Sequence, residues 1–194
     1  MFNDYRKLKR GPQVVLPKDA GLIAAFTGVG AGDRCVDVGA GSGWLAVFLG
    51  NIVGKEGKIY SYESREDFAG LAERNVKKAG LESVIEIVRK DAALGIEQKD
   101  VDLVTLDCAD SDKLLPNAFE ALRKGGACVG YLPHVEQVKQ FVFAAQEAGG
   151  NGASFAVERV VEGIVRDWLV RDRGCRPENT GLTHTGFLVF LRKP

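Results

Sequence analysis

Val36-Asp37-Val38-Gly39-Ala40-Gly41-Ser42-Gly43 is the stretch that decides the fold of this chain. An apolar strand ends within it, a Gly-x-Gly-x-Gly turn follows, and the apolar run 44–49 has the composition of a helix. Because glycine has no Cβ, three glycines let the backbone turn sharply and come close to a bound molecule. The pattern predicts a nucleotide-type ligand site at the carboxyl edge of a parallel sheet.

Two kinds of ligand use loops of this type, and the neighbouring side chains separate them. Dinucleotide-binding loops follow the pattern G-x-G-x-x-G/A. If this pattern starts at Gly39, the position that needs its third small residue holds Trp44. If the pattern starts at Gly41, the acid at position 37 lies inside the preceding strand. A carboxylate beside a pyrophosphate is repelled by about 1 to 4 kcal/mol near a surface. S-adenosylmethionine carries an ammonium and a sulfonium and no phosphate, so we expect it as the cofactor and disfavour a nicotinamide-linked oxidoreductase.

The length and charge of the chain suit one catalytic domain. The chain has 194 residues, and we expect a single domain over residues 1–194 with residues 1–16 as an N-terminal extension. The formal net charge is zero, but residues 1–18 carry a balance of +4, residues 159–194 one of +3, and the middle one of −7. An acidic centre with basic ends suits a cationic cofactor and a polyanionic substrate. Solvated surface charge explains the same pattern.

The composition also bears on compartment and on metal binding. No apolar stretch approaches the ~20 residues of a membrane span. The N-terminus has no apolar signal region, so we expect a cytoplasmic protein. The cysteines form no C-x-x-C pair and are expected to be reduced thiols. The histidines, His134 and His184, give no zinc signature, and we expect no metal site.

Strand and helix patterns alternate along the first three quarters of the chain. We predict helices at 17–27, 43–50, 65–79, about 112–122 and 135–147, and strands at 34–38, 58–62, 84–88, 101–106 and 127–132. Beyond the glycine-rich stretch 149–152, residues 154–170 and 185–192 are predicted to form two long β segments in an antiparallel hairpin. The expected fold is therefore α/β, with a Rossmann-like sheet of seven strands, mostly parallel, closed by a C-terminal antiparallel hairpin.

Acidic residues follow the predicted strands where a cofactor would lie. Glu63 comes 20 residues after Gly43, and a carboxylate there can accept both ribose hydroxyls of an adenosine. Asp91 is placed to accept from the adenine amine, although an N-cap role suits it nearly as well. The predicted cofactor-binding set is Asp37, Gly39, Ala40, Gly41, Ser42, Gly43, Glu63, Asp91 and Asp107, with Asp37 near the methionine end.

The ends of the fourth and fifth predicted strands supply two further candidates, Asp107 and Tyr131. The carboxyl ends of strands one and four flank the point where the strand order reverses. A carboxylate at 107 would therefore face the transferable methyl group. Tyr131 should open onto the same cleft, and a core tyrosine with its hydroxyl at the rim is the alternative.

The chain resembles the tRNA (adenine-58, N1)-methyltransferases of the bacterial and archaeal type. Besides the glycine motif, three stretches carry the resemblance: the segment 10–20 with its Gln-x-x-x-Pro-Lys-Asp-Ala pattern, Leu106-Asp107 with the later Tyr131-Leu132-Pro133, and the ending from Arg166-Asp167-Trp168 through Arg176-Pro177 to His184-Thr185-Gly186-Phe187-Leu188-Val189. The glycine motif alone is generic, whereas the first and last stretches are much more specific. Together they span residues 10–193.

The resemblance implies methyl transfer from S-adenosylmethionine to N1 of an adenine in tRNA. Adenine N1 has a free lone pair at neutral pH, so catalysis is mainly in-line positioning. In this scheme Asp107 favours the positive charge that develops on the base, and Tyr131 orients the base. Phosphate contacts are expected from Arg10, Arg166, Arg171, Arg173 and Arg176. The resemblance also implies a homo-oligomer, typically a tetramer. Because this sequence begins almost at the catalytic domain, we expect it to lack the family's small N-terminal β domain.

Two other functions remain open from the sequence. One is a methyltransferase for a small molecule, such as the precorrin methyltransferases of corrinoid biosynthesis, which have a similar sheet and length. The other is a non-catalytic subunit with the same fold that supports an active partner. The acids Asp37, Glu63 and Asp107 argue against a decayed site. Salt-dependent binding of tRNA separates the RNA enzyme from the small-molecule enzyme.

Overall fold

The computed structural model describes residues 7–11, 13–150, 152–179, 181 and 184–194. Its helices and strands alternate as the sequence predicts. The helices are α1 Pro17–Thr27, α2 Trp44–Val53, α3 Glu66–Ala79, α4 Leu115–Ala121 and α5 Val135–Ala145. The strands are β1 Arg34–Val38, β2 Lys58–Tyr62, β3 Ile85–Val88, β4 Val101–Leu106, β5 Leu122–Leu132, β6 Ala156–Glu162, β7 Trp168–Arg171, β8 Gly174–Pro177 and β9 Phe187–Arg192.

Seven of these strands form one sheet in the order β3-β2-β1-β4-β5-β9-β6. Strands β1 to β5 run parallel to one another, and β9 is antiparallel to both of its neighbours. The predicted α/β fold, mostly parallel with a closing antiparallel pair, is confirmed. The order of strands reverses between β1 and β4, and ligands of open α/β sheets bind at the carboxyl ends of the strands at such a point.

Burial on both faces explains the apolar central strands. Successive side chains of a strand point to opposite faces of the sheet. Accordingly Val36 and Val104 belong to the core cluster on one face, whereas Cys35 and Leu103 belong to the cluster on the other. All four side chains are fully or almost fully buried. A buried Val or Leu side chain contributes about 1.5 to 3 kcal/mol relative to an exposed one, so the two clusters hold the sheet rigid beneath the loops at its edge.

The predicted β segment 154–170 is wrong beyond residue 162. Strand β6 pairs with β9 as expected, but residues 168–171 pair with 174–177 in a separate two-stranded sheet, β7 and β8. The chain leaves the main sheet at Gly163, whose carbonyl accepts a hydrogen bond from Lys18 Nζ at 2.6 Å. A Cβ on Gly163 would lie 2.7 Å from Leu22 Cδ1. Contacts with the first helix, invisible in the local pattern, therefore end the strand.

Smaller differences concern the ends of elements. The predicted helix at about 112–122 is a 3-10 turn over Ser111–Leu114 followed by α4, and β5 begins at Leu122, earlier than expected. The four cysteines are free thiols, as expected. Among the described residues, no helix is both long and apolar enough to cross a membrane.

Candidate functional site

The glycine loop between β1 and α2 depends on backbone conformations that favour glycine. Gly39, Gly41 and Gly43 have φ values of 93°, 54° and 76°. At Gly39 a Cβ would lie 2.1 Å from the carbonyl oxygen of Asp107. The missing side chain therefore lets the end of β1 approach the end of β4, as the sequence motif predicts.

A cavity of about 610 Å³ opens where β1, β2 and β4 end. Five of the nine predicted cofactor-binding residues line it: Gly39, Gly41, Glu63, Asp91 and Asp107. The other four, Asp37, Ala40, Ser42 and Gly43, are buried and are not among the residues that line it. The volume is within the usual range of about 300 to 1,000 Å³ for small-molecule sites.

Glu63 connects the end of β2 with the glycine loop. Its side chain is buried, and its Oε2 accepts a hydrogen bond from the Gly41 amide at 2.8 Å. Its Oε1 accepts from the backbone amide and the Nε of Arg65, at 3.1 and 3.2 Å. The carboxylate thus fixes the loop and also forms part of the cavity wall.

Asp91 combines the two roles that the sequence left open. Its Oδ1 accepts a hydrogen bond from the Ala93 amide at 2.9 Å and so caps the 3-10 turn Ala92–Leu94. The same exposed residue lines the cavity. A capping carboxylate keeps lone pairs free, so capping and ligand binding are compatible here.

Asp37 lies within the core of the sheet. It is 1% exposed, and its register partners on β2 and β4 are Ser61 and Thr105. Ser61 Oγ donates to Oδ2 at 2.6 Å, and Thr105 Oγ1 donates to Oδ1 at 2.8 Å. Burial raises the pKa of Asp37 against the lowering effect of these two hydrogen bonds. The carboxyl group is therefore held among the central strands and does not line the cavity.

A second cavity of about 240 Å³ lies beside the first, and the two share Asp107 and Gln13. The carboxyl group of Asp107 is half-buried between them. Burial, and next the charge of Asp37, raise the pKa of Asp107 to about 7. A cation placed beside this group would lower its pKa, so the junction of the two cavities is suited to positive charge.

Tyr131 is the residue before the last one of β5, and it lines the second cavity. Its hydroxyl donates to the Thr185 carbonyl at 2.7 Å, and burial raises its pKa to about 12. The ring packs over Gly186, where a Cβ would lie 2.8 Å from Cζ. Tyr131 is therefore a neutral, oriented side chain that faces the same cavity as Asp107.

The two sequence motifs with the most specific resemblance meet behind this cavity. Lys18 Nζ donates to Asp19 Oδ1 and to Thr185 Oγ1, both at 2.7 Å. The Thr185 hydroxyl in turn donates to Asp19 Oδ2 at 2.8 Å. Asp19 is fully buried. These residues had no predicted role, and their local signal was a charged pair at the start of an apolar helix.

His184 also lines the second cavity, and it was not predicted as a site residue. Its Nδ1 lies 2.6 Å from Glu162 Oε1, and its Nε2 lies 3.0 Å from the Pro133 carbonyl oxygen. Both partners only accept hydrogen bonds, so the ring satisfies both as an imidazolium. The bond to Pro133, and next the bond to Glu162, raise the pKa of His184.

The predicted RNA-contacting arginines fall into two groups. Arg10 lines the second cavity. Arg166, Arg171, Arg173 and Arg176 are exposed on or beside the β7–β8 hairpin, and none of them lines either cavity. Among the described residues, no cluster of His, Cys, Asp or Glu could hold a metal ion.

Comparisons with known proteins agree with this geometry. The family model of the "tRNA methyltransferase complex GCD14 subunit" matches residues 6–176. The chain is 33% identical over 220 residues to the tRNA (adenine(57)-N(1)/adenine(58)-N(1))-methyltransferase TrmI of Methanocaldococcus jannaschii, covering 100% of this chain and 76% of that protein. It is 35% identical over 187 residues to the tRNA (adenine(58)-N(1))-methyltransferase TrmI of Thermus thermophilus, with 96% and 71% covered.

A solved structure is similar over the whole sheet. The SAM-dependent O-methyltransferase of Thermotoga maritima has a TM-score of 0.90 at 35% identity, covering 99% of this chain and 70% of that chain. The family match includes the glycine loop, the acids at the strand ends and Tyr131. The chain therefore belongs to the family of the tRNA methyltransferase complex GCD14 subunit and has the class I S-adenosylmethionine-dependent methyltransferase fold.

Proposed function

We propose that this chain transfers a methyl group from S-adenosylmethionine to N1 of an adenine in tRNA. The observation that carries the proposal is the pair of adjoining cavities that share Asp107. One cavity has the wall expected for the cofactor, and the other has room beside it for a base. Methyl transfer requires the donor and the acceptor to meet in line at such a junction.

The first cavity suits S-adenosylmethionine, which supplies a methyl group on a positively charged sulfur. Glu63 would accept from a ribose hydroxyl, because its bonds to Gly41 and Arg65 leave about one of its four lone pairs free. Asp91 would accept from the adenine amine, and Asp37 would act from below through its charge. Glycine at position 39 lets the loop leave β1 directly against the end of β4, because a Cβ there would clash with the Asp107 carbonyl. The acids surround a space for a cation and would repel a pyrophosphate.

The second cavity supplies the groups that the acceptor base needs. Asp107 stabilises the positive charge that develops on the adenine as N1 is methylated. Tyr131, kept neutral by its raised pKa, orients the ring. A base stacked in folded tRNA must first be turned outward, which costs a few kcal/mol. Arg10 at the cavity and Arg166, Arg171, Arg173 and Arg176 on the hairpin side are proposed to hold the phosphates.

We propose further that the protein works in the cytoplasm as a homo-oligomer, and specifically a tetramer. Trp168 and Val170 are exposed by 61% and 78% and share one face of the β7–β8 hairpin. Strand β6 is the exposed edge of the sheet. An open edge next to an apolar face is a surface that other copies of the chain can cover.

The test is transfer of labelled methyl from S-adenosylmethionine to unmodified tRNA, followed by nucleoside analysis. Asp107→Asn keeps the shape of the side chain but removes its charge, and we expect at least a ~100-fold fall in kcat, on the scale of a lost electrostatic contact in a transition state. Asp100→Asn, at an exposed acid that lines neither cavity, is the matched control and should keep most of the activity.

Appearance of 1-methyladenosine that is lost in Asp107→Asn would support both the reaction and the role of Asp107. Binding of S-adenosylmethionine without transfer to tRNA would overturn the tRNA proposal. The small-molecule substrate or the partner subunit would then be the better interpretation.

A further inference from the structure

A buried amide on α3 is hydrogen-bonded to two separate segments of the chain. Asn75 is 2% exposed, and its neighbours Ala72 and Val76 are part of the buried face of the helix. A carboxamide in such a place costs free energy unless its polar atoms are hydrogen-bonded. Its position on the apolar face therefore indicates that its hydrogen bonds have a purpose beyond packing.

Asn75 binds two separate segments of backbone. Its Oδ1 accepts from the Lys9 amide at 3.0 Å, and its Nδ2 donates to the Lys9 carbonyl at 2.8 Å. The same Nδ2 donates to the Ser42 carbonyl, in the glycine loop, at 2.7 Å. The Asn75 amide thus forms a two-way hydrogen-bonded pair with the backbone of Lys9, like that between neighbouring strands. The second hydrogen of its Nδ2 binds the cofactor loop.

Residue 9 belongs to a segment that we call the strap, residues 7–11 and 13–16. Leu8 is buried among the core residues, and Lys78 donates to the Lys7 carbonyl. Gly11 lies against the glycine loop, since a Cβ there would be 3.4 Å from Ser42 Oγ. The strap therefore crosses α3 and the glycine loop on its way to α1.

The far end of the strap forms a wall of the second cavity. Arg10, Val14 and Leu16 line that cavity, and Gln13 lines both. Beyond the strap, Lys18 is held by the hydrogen bonds to Asp19, Thr185 and Gly163. The wall is thus anchored at one end by Asn75 and at the other by the Lys18 network. Of these two anchors, Asn75 is the one that is hydrogen-bonded to the cofactor loop.

We propose that Asn75 is a positioning residue that couples the cavities, so that a ligand in the first raises the affinity of the second for its polyanionic substrate. The inference rests on the proposed function, in which the first cavity takes the cofactor and the second takes a base of tRNA. A ligand that orders the glycine loop also orders Lys9 through Asn75, and the tRNA then binds to a wall that is already in place. Coupling of this kind is reciprocal.

The experiment measures tRNA affinity of the full chain with and without saturating S-adenosylhomocysteine, which occupies the first cavity and cannot react. In the wild type we expect about a 10-fold tighter Kd for tRNA in its presence, within the usual range of coupling between sites. In Asn75→Leu, similar in size but unable to hydrogen-bond, the ratio should fall below about 2-fold. A purely structural role would weaken both affinities and leave the ratio unchanged.

Two further measurements keep the test decisive. Asn75→Asp retains an acceptor for the Lys9 amide but loses both donors, so it should also lose the coupling. It takes the place of Asn75→Leu if the leucine variant does not fold. Phe155→Leu, a core change beside Phe119 and away from both cavities, is the stability control and should keep the coupling. Hydrogen exchange of residues 7–16 should slow on adding S-adenosylhomocysteine in the wild type and in Phe155→Leu, but not in the Asn75 variants.

The outcomes separate this inference from the proposed function. A wild-type ratio near one, or a ratio preserved in both Asn75 variants, overturns the coupling while 1-methyladenosine formation still supports the reaction. Wild-type protein that binds S-adenosylhomocysteine but no tRNA overturns both.

Discussion

At the scale of single residues, Asp107 combines three properties that set its chemistry. It directly follows β4, it lies at the junction of the two cavities, and burial together with Asp37 raises its pKa to about 7. Near neutral pH its ionised fraction is therefore sensitive to small changes. Asp37, which has hydroxyl donors on both oxygens, is a fixed neighbour whose charge bears on that fraction.

The first prediction at this scale is a pH dependence. If ionised Asp107 is needed, kcat/KM for S-adenosylmethionine should rise as the pH passes through about 7 and level off above it, because the raised pKa leaves the group protonated at lower pH until the cationic cofactor binds. Asp37→Asn removes the like charge, so the midpoint should shift to lower pH while the effect of burial remains. The measurement is a pH–rate profile at constant ionic strength. A flat profile for the wild type, or the same midpoint in the variant, would contradict this role.

At the scale of elements, the end of β5, the end of β6 and the segment before β9 meet at His184. The ring bridges the Pro133 carbonyl and the Glu162 carboxylate, and Lys18 is the cation near enough to oppose its charge. The two acceptors favour the protonated form of the His184 imidazole. This bridge links strands that are distant in the chain, so it forms only in the folded protein.

The stability of this bridge should depend on pH. The folded-state pKa of His184 is raised, so its contribution is complete below the unfolded value of about 6.5 and is lost as the pH rises through the folded value. The Tm difference between wild type and His184→Gln should therefore be largest near pH 6 and decrease in more alkaline buffer. Thermal unfolding followed by circular dichroism over this pH range checks the prediction. A difference that stays constant over the whole range would refute the charged bridge.

At the scale of the whole molecule, the β7–β8 hairpin presents two unlike faces. Trp168 and Val170 point to one face, and Arg171 and Arg176 share the other by strand register. An apolar face suits contact with another protein surface, and a basic face suits phosphates. The same small sheet can therefore serve assembly and RNA binding at once.

Two substitutions on this hairpin should affect assembly and tRNA binding separately. Trp168→Glu places a charge on the apolar face and should lower the assembly size in sedimentation, because a buried unpaired charge is costly at an interface. Arg171→Glu should leave the assembly unchanged but weaken tRNA binding and reduce its salt dependence by about one phosphate contact. A wild-type monomer, or an unchanged mass for Trp168→Glu, would contradict the proposed assembly surface.

The sequence by itself determined the elements whose causes are local. The bounds of α1, β1, β2 and β4 agree with the prediction, because apolar runs, a helix-starting proline and turn glycines act over a few residues. The glycine loop, the cofactor and the strand-end acids Glu63, Asp91 and Asp107 followed from the same local patterns. The alternation of strands and helices was sufficient for the fold.

Only the tertiary structure decided how distant segments meet. It ended β6 at Gly163 against α1, and it placed Asp37 below the cavity between two hydroxyls. It also brought Lys18 to Thr185, 167 positions apart, and Lys9 to Asn75, 66 positions apart. These contacts depend on which faces pack together once the sheet has formed. Local periodicity carries no information about such pairings, because each partner alone has the pattern of an ordinary polar residue.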